Sequence, residues 1–170
     1  MELTYREWWA LIHGVVLGGL FLLAFAGGLA ELYALRPAVE TPSGLRTSAR
    51  RIGVGITSMA VVAWATVITG TWIVYPWYRD PAEDSPRSTL LADESTELWH
   101  RFGMEWKEHI AWISPILATV AAFLVLYYGQ ALARSSRLRY VTIVVFVVAF
   151  AVAAVAGLFG ALITKAAPVT

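Results

Sequence analysis

The 170 residues are 58% hydrophobic and 15% charged, with a formal net charge of +1 and a mean hydropathy of +0.63; soluble domains carry about a quarter charged residues. This composition excludes a disordered chain, argues against an ordinary soluble domain and offers no basic face for nucleic acid. With no cysteine, a disulfide framework, a thiolate zinc site, a cysteine-held iron–sulfur cluster and a covalent c-type haem are also excluded.

Four apolar stretches reach the length of about 20 residues that a ~30 Å hydrocarbon core requires: residues 8–35, 52–78, 110–133 and 140–164. The first is interrupted only by His13 and Glu31, and the second carries no charge. They are too long for strands and lack the two-residue alternation of a membrane barrel. The expectation is an all-α integral membrane protein, one transmembrane domain over residues 1–170.

Charge sets the expected orientation. Arg36, Arg46, Arg50 and Arg51 follow the first span against Glu40 alone, and Arg134, Arg137 and Arg139 separate the last two spans. Residues 79–109 instead carry eight carboxylates against four basic groups. Basic loops stay cytoplasmic, so the arginine-rich turns are expected inside, with both termini and the acidic loop outside a cell (inner) membrane. No cleavable signal pattern stands at the N-terminus. Trp8, Trp9, Tyr75, Trp77, Tyr78, Trp106 and Trp112 form an aromatic belt at the outer boundary.

In the outer loop, residues 80–93 are rich in Pro, Ser and acid and read as irregular. From Ser95, a plausible N-cap, Leu98, Phe102 and Trp106 recur every four residues. That spacing predicts an interfacial helix before span three, with a bend at Gly103 and a kink at Pro115. Short turns favour an up-down-up-down four-helix bundle. Glu7-Trp8 before His13 and Glu105-Trp106 before His109 hint at a duplicated hairpin.

Ionisable groups at membrane depth are functional suspects. His13 lies five residues inside Trp8, roughly 7 Å along the helix axis, and His109 lies at a similar depth in span three. In an up-down bundle those spans are diagonal, so two imidazoles can face each other across the core and hold one b-type haem as axial ligands. Gly14, Gly18 and Gly19 leave room beside His13. The arrangement is similar to the haem-bearing four-helix membrane subunits of quinone-linked respiratory enzymes, which implies an electron-transfer role. His100, Glu105, Tyr75 and Tyr78 are candidate quinone or partner contacts, with Glu108 beside them. A haem-free metal site using His13, His100 and His109 with Met104 or Glu105 has no compact ligand spacing behind it.

Other polar residues have plainer readings. Glu31 is expected to pair with Arg36 or to snorkel, and Thr66, Thr69, Thr71 and Gly70 to pack helices. The fourth span is bland and suited to lipid or another subunit. No hydrolase motif, selectivity filter or broken-helix pair is present. The expected function is a non-autonomous electron-transfer subunit, with partners in the membrane or at its outer face. The alternative is a cofactor-free structural or assembly subunit of a membrane complex.

Overall fold

The computed structural model describes residues 2–35 and 42–168. Every regular element among them is helical. Four helices are long and apolar enough to cross a membrane: α1 (Tyr5–Ala34), α2 (Ser43–Tyr78), α4 (Glu94–Tyr128) and α6 (Ser136–Ala166). Two short helices lie between them, α3 (Pro86–Leu91) and α5 (Ala131–Arg134).

The helix ends follow local chemistry. Thr4 and Glu7 close a capping box at the start of α1. The first turn of α4 is capped by Asp93, whose side chain accepts from the Ser95 amide; Ser95 is therefore inside the helix, not its cap. Those bonds hold the Asp93 carboxyl below the usual carboxylate range. Gly129 ends α4 with φ +46°, four residues before the apolar run does, because only glycine takes that backbone conformation without strain. Pro115 donates no amide to Ala111, whose carbonyl instead accepts from Ser114 at 3.1 Å. The expected irregularity thus falls at Ala111–Trp112, just before the proline.

The helices pack in a ring: α1 on α2, α2 on α4, α4 on α6, and α6 back on α1. The main core runs through Ile52, Ile56, Met59, Ala118, Ala121, Val125, Phe146 and Ala149. Glycine lets α1 approach both α2 and α6 closely: a Cβ on Gly28 would sit 3.3 Å from Ile56 Cγ1 and 3.0 Å from Phe146 Cζ. The α1–α6 seam is a phenylalanine ladder in which Phe25 stacks on Phe150 with centroids 3.8 Å apart. A second, smaller core of Tyr78, Leu90, Met104, Ile163 and Ala167 closes the opposite end.

The arginine end gathers Arg50, Arg51 and Arg139. There Glu31 pairs with Arg51 at 3.3 Å, and the expected partner Arg36 lies outside the described residues. Arg139 Nη1 donates to the Leu35 carbonyl, satisfying a terminal acceptor of α1. The histidine end gathers His13, His100 and His109.

Candidate functional site at the histidine end

The long helices loosen at this end. Wide π-type turns occur in α1 at Ile12–Val16, in α2 at Gly70–Val74, and in α4 at Trp99–Met104 and Trp106–Ile110. Each of the three histidines lies in one of these turns. Such turns widen a helix locally and occur often at functional sites.

His13 points into the bundle. Its Nδ1 lies 3.0 Å from Thr69 Oγ1, while the Thr69 hydroxyl donates to the Ala65 carbonyl at 2.8 Å. With its hydrogen committed there, Thr69 can only accept from the ring. The neutral imidazole therefore carries its proton on Nδ1 and leaves the Nε2 lone pair free. Gly70 makes room for the ring: a Cβ there would lie 3.0 Å from His13 Cε1. The expected packing role of Thr69 and Gly70 is thus joined by a specific one, orienting a histidine.

His109 faces the other way. Its side chain is 67% exposed, and Nδ1 lies 3.3 Å from the Glu105 carboxylate and 3.1 Å from the Glu105 carbonyl. The structure does not bring His13 and His109 together. The α4 charge within electrostatic range of His13 is Lys107. Lys107 Nζ projects against α6, where a Cβ on Gly160 would lie 2.8 Å from it. No hydrogen bond or ion pair holds this ammonium among the described residues. Lys107 was overlooked in the sequence because it counts there as one more loop charge. The signal that could have found it is the glycine ten residues from the C-terminus.

A polar cluster surrounds the second core. Tyr78 is 5% exposed, and its Oη lies 2.6 Å from His100 Nδ1. Arg79 Nη2 donates to both Glu108 oxygens at 3.1 Å. The Arg79 guanidinium also lies 5.2 Å from the Tyr75 ring centroid. Arg87 from α3 is within electrostatic reach of Tyr78 and His100. Of the four candidate quinone contacts, Tyr75, Tyr78 and His100 therefore belong to one cluster. Glu105 stands at its exposed margin with His109.

The Tyr78 phenol and the His100 imidazole, in direct contact, are a pair between which a proton can pass. Arginine neutralises the Glu108 carboxylate without being able to give up its own proton. Among the described residues no group of three or more histidines, cysteines or carboxylates is placed to hold a metal ion.

No protein-family model, curated protein or solved structure matches the chain. The residues themselves thus carry the functional argument.

Proposed function

We propose that this chain is an electron-transfer subunit of a membrane oxidoreductase, and that its histidine end takes up protons from a quinol. The observation that carries the reading is the short Tyr78–His100 hydrogen bond beside Glu108. A quinol loses two protons and two electrons on oxidation. In this reading Tyr78 passes one proton to His100, Glu108 accepts the other, and both electrons leave to a redox centre on a partner subunit. The lone pair on His13 and the ammonium of Lys107 offer an acceptor and a donor deeper in the bundle. The histidine end then faces the outside of a cell membrane, in an up-down-up-down bundle with the start of α4 at the interface.

A single b-type haem between His13 and His109 does not fit this conformation, because the His109 side chain is 67% exposed and turned outward. Holding both ligands would require the start of α4 to rotate. No step is assigned to a haem. His13 combines an inward orientation with a hydroxyl fixing its far nitrogen, as a metal-ligating histidine does.

Quenching of tryptophan fluorescence by a short-chain benzoquinone tests the proposal on the purified protein. Tyr78→Phe and His100→Gln are each expected to weaken binding about tenfold, the loss expected for one buried hydrogen bond. Absence of binding by the wild-type protein would refute the quinol reading. An oxidised-minus-reduced visible spectrum decides the haem separately.

The second reading, a cofactor-free structural subunit, is favoured by α1. Only 6% of its most apolar stretch is buried, against 33% in α2 and in α4. A helix so uncovered offers a long apolar face to another membrane subunit. No quinone binding and a colourless protein would make this reading the leading one.

A further inference from the structure

The arginine end contains a feature that the proposed chemistry does not use. Gly53, Val54 and Gly55 follow one another on α2, one turn after Arg50. Val54 is 61% exposed and stands out as a ridge. On one side, Gly53 lets α4 approach, its missing Cβ position lying 3.4 Å from Leu126 Cδ2. On the other, Gly55 lets α1 approach, with that position 3.4 Å from Gly28 Cα.

The result is two grooves separated by one side chain. The first, of ≈ 580 Å³, runs past Thr57, Val61 and Leu126. The second, of ≈ 900 Å³, runs past Gly27, Ala30 and Ala34. Both grooves are open along their length to the surface of the bundle. Arg50 and Val54 line both grooves.

The charges at the mouth are unequal. Arg51 is paired with Glu31, whereas Arg50 has no hydrogen bond or ion pair among the described residues. Thr57 Oγ1, inside the first groove, is buried without a hydrogen-bond partner. Arg50 at the edge of two adjoining grooves, one apolar and one that also holds the Glu31–Arg51 pair, matches an amphiphile with one anionic head and two tails. Inorganic phosphate would leave both grooves unfilled, and a fatty acid would fill one.

We propose that this end binds one anionic, two-chained phospholipid, with its phosphate on Arg50 and an acyl chain on each side of Val54. The head is held by the guanidinium, whose planar fork suits phosphate oxygens. The chains are held by shape. The site is independent of the quinol reading and lies at the other end of the bundle.

The test uses the full-length protein in nanodiscs of equal phosphatidylglycerol and phosphatidylcholine, followed by mild extraction and native mass spectrometry. Wild-type protein is expected to retain one phosphatidylglycerol in preference to phosphatidylcholine. Arg50→Gln should lower that retention about fivefold, the effect of one basic side chain on an anionic lipid. Arg137→Gln, a charge change away from both grooves, should leave it unchanged. Val54→Trp should also displace the lipid by filling the grooves, without any change of charge. A diazirine-bearing phosphatidylglycerol should label both the Val61 side and the Ala30 side. Equal retention of the two lipids, equal losses from Arg50→Gln and Arg137→Gln, or labelling on one side alone would overturn the proposal.

Discussion

The two ends of the bundle are built on different principles. At the arginine end and through the middle, α1, α2, α4 and α6 are regular helices, joined by glycine-permitted contacts and a phenylalanine ladder. Few side-chain hydrogen bonds are needed there, because lipid tails and protein interior are equally apolar and close packing provides the attraction. At the histidine end, wide turns interrupt three of these helices, and polar side chains tie the elements together. Thr69 to His13, Tyr78 to His100, and Arg79 to Glu108 each join residues from different helices or turns. Regularity therefore marks the part that holds the shape, and irregularity marks the part available for chemistry.

Four substitutions or conditions test that contrast. Phe146 is fully buried between α1, α2 and α6, so Phe146→Ala should cost about 3 kcal/mol through lost packing. Its effect is measurable by reversible unfolding in bicelles and should leave quinone binding intact. Tyr78→Phe strands the His100 nitrogen and should cost about 1–2 kcal/mol of stability, with a loss of quinone binding of the same size, whereas Phe146→Ala leaves binding intact. If Tyr78→Phe destabilised the bundle more than Phe146→Ala, the division between the two ends would fail.

Thr69→Val keeps the shape of the residue and removes the acceptor for His13. The expected cost is about 1 kcal/mol, and nitrogen NMR should show the ring losing its preference for the Nδ1-protonated form. The smallest effect concerns Asp93. Its carboxyl is held below the usual range by Ser95, so the cap contributes stability above the ordinary carboxylate pKa. That contribution is lost as pH falls through the lowered value. Exchange of the Ser95 amide should accelerate over that acidic window, with no change at neutral pH.

Much of the architecture was legible in hydropathy alone, because crossing a bilayer demands long apolar helices. The boundaries were less so. Helix α2 begins at Ser43, well before the apolar run at Ile52, since Arg46, Arg50 and Arg51 lower hydropathy without opposing helix formation. Conversely α4 stops at Gly129 although apolar residues continue to Ala133. The facing of the histidines was not legible at all. In a helix apolar on every side, periodicity does not report rotation, and the π-type turns shift the register of His109 and Lys107 further. The Tyr78–His100 contact escaped for a related reason: it joins residues across α3, whose path no local pattern encodes.

The light attachment of α1 has a consequence for assembly. Few of its residues are fully buried: Phe21, Gly28 and Leu32, with Leu35 just after its end. The remaining helices keep the α2–α4 and α4–α6 contacts without it. It follows that the chain should tolerate being split between α1 and α2, with the two fragments produced separately and recombining in the bilayer. Once the larger fragment has formed, the Thr69 hydroxyl and the Phe150 ring present a template on which the incoming helix finds its depth and its rotation.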